Sequence, residues 1–298
     1  STQAKTLFPY TTLFRSHIWV RGFFTDFEIR IYFSNGNDPL HNTLFQIVQF
    51  QVCSAIFLKM IVYHFLPAEF ALRALRDRRL KIARLDELHD PFEFGLAGYP
   101  DADVRNGLET MKNRLNEQYG VLCFSCIHHD PVLWSRYADD HRGVALLFEI
   151  PDDRAITVSY QPEYFDPRLD AVIRRGHFDE RDASYWVSTR FASWYQEQEI
   201  RMTCVLSDHF CQIDARGKKV YFESLSLESF GVDALKLVGL IRGACCGLKS
   251  TDIASELLAV DTLLVQDARL DRSSFQITAG EAYPVVGERS FTACCFRV

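Results

Sequence analysis

From Met60 onward, apolar and polar positions keep to a few periods, and those periods predict the elements. The run MIVYHF over residues 60–65, closed by Pro67, predicts a strand. Phe70, Leu72, Ala74 and Leu75 recur at near-helical spacing up to Arg78, and Leu80, Ile82 and Leu85 predict a second extended piece. Leu108, Met111 and Leu115 mark one face of a helix over residues 101–119, with Gly120 as its stop. Residues 121–125 read as a strand, and Asp130-Pro131 opens a helix carrying Leu133, Trp134, Tyr137 and Ala138. Further strands are predicted at 143–150, 157–160, 237–243 and 262–265, a charged and partly helical stretch at 166–185, and a helix at 250–258. Strands and helices do not alternate strictly. The prediction is therefore a single α+β domain over residues 60–285, a mixed or antiparallel sheet packed by helices, followed by a tail at 286–298.

The stretch WYQEQEIR over residues 194–201 carries the densest chemistry. Read as a strand, its period of two puts Glu197, Glu199, Arg201 and Thr203 on one face and Ile200, Met202 and Cys204 on the other. Two carboxylates on one face repel, which raises one pKa and suits acid/base work. Arg201 can equally cancel that effect, and an ordinary structural ion pair is the competing reading. Glu199, deeper along such a strand, is expected to be the drier and more important carboxylate.

Residues 1–59 read differently. No Met precedes Met60, phenylalanines crowd the segment, and KTLFPYTTLFRS over 5–16 resembles a translated sequencing-adapter remnant. A leader that is non-native or poorly structured is expected there, with the domain starting at Met60. The apolar run at 44–58 is broken by Gln46, Gln49 and Gln51 and falls short of the ~20 residues a spanning helix needs, so no membrane association is expected.

Net charge of −6 and a pI near 5.9 argue against a broad basic face for non-specific nucleic-acid binding. An odd nine cysteines, with adjacent pairs at 245–246 and 294–295, fit reduced thiols in a cytoplasm better than a disulfide framework. Cys123-x-x-Cys126 with His128 and His129 is half a zinc pattern without a second half, and His209-x-Cys211 is too slight to complete it. A buried Cys123 thiol is the better reading, and no metal is expected. Asp86, Glu87, Asp90 and Glu93 could be taken for a metal-dependent nuclease cluster, but Asp90-Pro91 reads as a turn with local pairing. No phosphate loop or Gly-x-Gly-x-x-Gly run occurs.

Five landmarks stand in order: YHF at 63–65, HDPFE at 89–93, CFS at 123–125, LWSRYAD at 133–139 with Gly143 after it, and Trp194-x-x-Glu197-x-Glu199-x-Arg201. Together they resemble the bacterial family known as domain of unknown function 2971, over residues 60–283. The chain departs from that pattern at His89, where Asn is usual, at Arg136, where His is usual, and at Arg190, where Lys is common. The order of landmarks is also similar to the ADP-ribosyltransferase-like fold. That resemblance implies NAD as substrate, with His64 donating to the adenosine-side ribose, Ser125 or Tyr137 beside the nicotinamide, Arg201 in the same binding set, and Glu199 or Glu197 as the catalytic carboxylate. A fixed carboxylate would stabilise the oxocarbenium character that develops as the nicotinamide–ribose bond breaks. The implied activity is an ADP-ribosyltransferase or NAD glycohydrolase of a bacterial conflict or stress system, acceptor unknown. The contrary class is a non-enzymatic binding or regulatory module in which the same residues form a polar structural network. His64 and Glu199 decide between them: an enzyme needs both in one cleft, whereas opposite faces of the sheet leave the binding module.

Overall fold

Aromatic and β-branched residues favour extended backbone, and in the first of two units, residues 1–57, they form a hairpin. Its strands, β1 (Phe14–Arg21) and β2 (Asp26–Phe33), are antiparallel, with Phe14 opposite Phe33 and Arg21 opposite Asp26. The stretch expected to be a leader thus carries a two-stranded element. The computed structural model describes residues 14–21, 26–33, 59–88, 90, 102–162, 187–227 and 235–290.

The second unit, residues 58–298, holds the predicted domain. It opens with β3 (Lys59–Leu66), α1 (Ala68–Asp77) and β4 (Arg79–Arg84), then α2 (Ala102–Gln118), β5 (Tyr119–Ser125), α3 (Pro131–Tyr137) and β6 (Val144–Pro151). Asp130 caps α3 as expected, its side chain accepting from the Val132 amide at 2.8 Å. Short strands follow: β7 (Ile156–Thr157), β8 (Ser159–Gln161) and β9 (Thr189–Phe191). The chain continues through β10 (Glu199–Val205), β11 (Phe210–Ile213), β12 (Lys219–Ser226) and β13 (Leu235–Arg242). It then runs through α4 (Ser250–Ala254), β14 (Thr262–Leu270), β15 (Ile277–Ala279) and β16 (Tyr283–Val286).

Twelve of these strands form one mixed sheet, as the α+β prediction requires. Most neighbours are antiparallel, but β13 runs parallel to both β12 and β14. The pairings also close on themselves, since β12 bonds β4, β4 bonds β5, β5 bonds β3, β3 bonds β6, β6 bonds β13, and β13 returns to β12. The main core gathers Val62 of β3, Phe124 of β5, Phe148 of β6, Ile200 and Met202 of β10 and Leu240 of β13 under Leu75 of α1 and Ile253 of α4. A second cluster packs Phe65 of β3 with Leu133 and Trp134 of α3, so successive residues of β3 serve opposite faces of the sheet.

Gly120 is not a helix stop. It lies inside β5, opposite Arg84 on one side and Cys204 on the other, where an added Cβ would meet Ile82 Cγ2 at 2.5 Å and the Ala83 carbonyl at 2.8 Å. Close approach, rather than left-handed backbone, requires glycine there. The domain's hydrogen bonding also runs past residue 285, the Arg289 amide donating to the Leu257 carbonyl at 3.0 Å. Among the described residues no helix is long and apolar enough to cross a membrane. His89, residues 91–93, the 166–185 stretch and Trp186 lie outside the described residues, as do the side chains of Leu108 and Met111.

Candidate functional site

Along one edge β5 pairs with β10 over its whole length, from Tyr119 opposite Val205 to Ser125 opposite Glu199. Along the other it meets β3 only at Ser125–Tyr63, and β4 only at Val121–Ala83 and Gly120–Arg84. Between these points β3 and β4 part and leave a seam. The imidazole of His64 lies along it, Nδ1–H donating to the Cys123 carbonyl at 2.7 Å. An unmet buried carbonyl would cost about 1–3 kcal/mol, which explains a polar ring at this position. A cavity of about 240 Å³ follows the seam, and all six residues singled out from the sequence line it: His64, Ser125, Tyr137, Glu197, Glu199 and Arg201.

The period-of-two reading places Glu197 wrongly. Residues Ala192–Glu197 form a 3-10 turn, Gln198 turns left-handed at φ 43°, and the strand begins only at Glu199. The turn nevertheless returns Glu197 to its neighbour. Arg190, at the centre of β9, donates from one Nη1 to Glu197 Oε2 at 2.6 Å and to Glu199 Oε2 at 2.7 Å. Arg201 adds Nε to Glu199 Oε1 at 2.8 Å and Nη2 to Oε2 at 3.0 Å, and its Nη1 donates to the Val187 carbonyl at 2.7 Å. The remaining Glu197 oxygen accepts from the Tyr137 hydroxyl at 2.7 Å, with Arg136 Nη1 3.6 Å away. Trp194 lies against both outer guanidiniums, Arg136 at 4.3 Å and Arg190 at 4.4 Å from its ring centre.

Ser125 serves the same network through the backbone. Its hydroxyl donates to the Glu197 carbonyl at 2.6 Å and accepts from the Ile127 amide at 3.2 Å. The Tyr160 hydroxyl accepts from the Glu199 amide at 2.8 Å. Glu197 and Glu199 are both buried, their side chains 7% and 5% exposed, so Glu199 is the drier of the two by a small margin only.

Electrostatics follow from these partners. Burial works to raise the Glu199 carboxyl, but Arg201 and then Arg190 outweigh it and hold the carboxyl below its usual range. The raised pKa that acid/base duty calls for is therefore not found at Glu199. Burial and the adjoining Glu197 carboxylate push the Tyr137 phenol well up, and burial pushes Tyr160 to about 12. Burial lowers the pKa of His64, only partly offset by its bond to Cys123, so this ring is neutral at pH 7.

The ladder directs the two residues that separate an enzyme from a binding module to opposite faces, yet both line the one seam cavity, so the shared cleft is met and the shared face is not. Glu199 sits opposite Ser125, while the next ladder pair, Ile200 and Phe124, points to the other face. The His64 ring packs edge-on against Phe124 at 5.7 Å, on that second face. The seam lets both line one cavity without bringing imidazole and carboxylate to one side.

The sequence reading assigns Arg190, Arg136, Trp194 and Tyr160 no role in the site, although Trp194 stands in one of its landmarks. Arg190 had a signal: two carboxylates buried beside a single Arg201 need a second cation. Arg136 and Arg190 both reach Glu197. Cys123, Cys126, Cys204, Cys211, Cys245 and Cys246 are all thiols. Asp86 and Glu87 are paired with cations, Glu87 with Lys81 at 3.0 Å and with the distant Lys218 at 2.8 Å, and Asp86 with Arg84 at 3.7 Å. Among the described residues, the group able to hold a metal is Cys204, His209 and Glu223 rather than Cys123 and Cys126. No protein family, curated protein or solved structure matches the chain.

Proposed function

We propose that the chain is a non-enzymatic binding module whose seam cavity takes a small uncharged molecule of about one ring, with the Glu–Arg network as its fixed polar wall. One observation carries this reading: every carboxylate oxygen of Glu197 and Glu199 already accepts from a guanidinium or a phenol. Glycosyl-bond cleavage needs a carboxylate that can turn to a ribose, and the histidine meant to hold that ribose packs on the other face. The charges of Glu197, Glu199, Arg190 and Arg201 cancel among themselves, and Lys81 and Glu87 of the lining are paired with each other, which leaves Arg136 at the edge of the network as the added charge. At about 240 Å³ the cavity is below the ~300–1,000 Å³ that enclose drug-sized ligands, and a dinucleotide exceeds it. The apolar lining of Leu88, Leu122 and Leu133 suits a ring, and Tyr137 offers a polar edge.

The test uses the full chain. Incubation with NAD should release no nicotinamide above a protein-free control. Ligand-observed NMR with uncharged single-ring compounds such as benzamide should show binding that Ala83→Leu, which narrows the cavity, abolishes. Nicotinamide release that Glu199→Gln removes would overturn the proposal and restore the NAD-consuming reading.

A further inference from the structure

At the far end of β10 from the seam, three side chains from separate places in the chain converge. Cys204 comes from β10, His209 from the turn after it and Glu223 from β12, and their ligand atoms all lie within 4.8 Å of one another. Cys204 and Glu223 are buried, and the His209 side chain is 16% exposed, which leaves an approach from solvent.

The histidine's hydrogen bonds say what this group is arranged for. His209 Nδ1 stands 2.7 Å from the Val205 carbonyl, an acceptor only, so Nδ1 carries a hydrogen. Nε2 points at Glu223 Oε2 from 3.1 Å, a spacing that a proton on Nε2 would bridge as an ion pair and that a metal ion would bridge by taking a lone pair from each. A metal-ligating histidine has this second bond, from its other ring nitrogen to a backbone carbonyl, fixing tautomer and orientation. The carboxylate is oriented as well, Glu223 Oε1 accepting from the Ser224 amide at 3.1 Å while Oε2 faces the imidazole. Nitrogen and oxygen ligands on a tetrahedral zinc, with bonds of ~2.1 Å, stand roughly 3.4 Å apart, close to the separation found here.

We propose that Cys204, His209 and Glu223 form a site for a divalent transition metal, zinc by its thiolate–imidazole–carboxylate donor set, with a fourth position open to water. On binding, the Cys204 thiol proton passes to solvent as the metal–sulfur bond forms. Among the described residues Arg154 is the competing cation, its Nη2 3.8 Å from Glu223 Oε2, beyond hydrogen-bond reach and on an exposed side chain. The ion would tie β10 to β12, two strands with no ladder between them. This inference is independent of the ligand proposed for the seam.

The experiment is stoichiometric metal uptake by the full chain, stripped with chelator and then titrated with Zn²⁺, with Co²⁺ as a spectroscopic substitute. One equivalent of zinc should bind, and cobalt should give a thiolate-to-metal charge-transfer band. Cys204→Ala, His209→Gln and Glu223→Gln should each weaken binding by about tenfold or more, whereas Cys211→Ala and His129→Gln should not. Because Cys204 packs in the core, circular dichroism must accompany its variant; His209→Gln, in a solvent-accessible turn, keeps the test decisive if Cys204→Ala fails to fold. No stoichiometric uptake, cobalt bound without a thiolate band, or parent-like affinity in His209→Gln would overturn the site and leave a His209–Glu223 ion pair.

Discussion

Glu199 accepts from two guanidiniums at once, so its charge is structural before it is chemical. Removing it in Glu199→Gln leaves Arg190 and Arg201 buried with one carboxylate between them, and breaking a buried pair of this kind costs about 3–5 kcal/mol. The urea midpoint should fall accordingly, and an unchanged midpoint would remove the network from the account of stability. Acid sensitivity has two sources with the same sign. His64 has a folded pKa below the imidazole value of about 6.5, so as pH falls through that value the unfolded chain takes up the proton first and stability drops. Glu199 has a folded pKa below its unfolded value of about 4.3, so its stabilisation is complete above that pH and is lost as pH falls toward the folded value. His64→Gln keeps a donor for the Cys123 carbonyl and cannot titrate. The stability difference between parent and His64→Gln should therefore shift toward the variant as pH falls from about 7 to 5; a difference flat across that range would mean that His64 is not the group.

Elements with one dominant period were legible in the sequence. β3, β5, β6 and β13 each combine an apolar run or alternation with a nearby turn signal, and α3 carries its cap in Asp130-Pro131. The candidate site was legible as a set of residues but not as a geometry. Glu197, Glu199 and Arg201 are alternate residues, yet a single left-handed Gln198 breaks the strand between the two carboxylates, and glutamine carries no signal for that conformation. β11 carries no core signal because Phe210 and Ile213 point outward, whereas β12 buries Leu225 and packs Tyr221 against the core, a pattern broken by Glu223 and the serines around it. Gly120 shows the same limit: a glycine after a helical pattern reads as a stop, while the cause is a neighbouring strand forty residues away in the chain. Gly120→Ala should force β5 from β4 and cost about 1–3 kcal/mol, as overpacking does. If the variant unfolds at the parent's midpoint, the close approach at Ile82 and Ala83 is not tight.

Across the whole molecule, closure of the strand circuit was the feature least accessible to local pattern. It rests on the parallel pairing of β12 with β13, at Leu225–Leu235 and Ser226–Lys236, between residues whose own sequences give no sign of each other. The circuit is built from strands of the second unit alone, from β3 to β13, and the lining of the seam cavity and the Cys204–His209–Glu223 group lie in the same unit. β3 is the first strand of the second unit, and its pairing with β6 begins at Lys59 opposite Pro151. A chain beginning at residue 58 therefore keeps the whole β3–β6 ladder and the Lys59–Glu149 ion pair, N to O 2.6 Å. It should fold with a thermal midpoint within about 2–4 °C of the full chain, the shift that ~1 kcal/mol makes in a domain of this size. It should also retain the parent's zinc stoichiometry and response to benzamide. A truncated chain that is insoluble beside a well-behaved full chain would show that residues 1–57 contribute to the core, and the two-unit division would have to be abandoned.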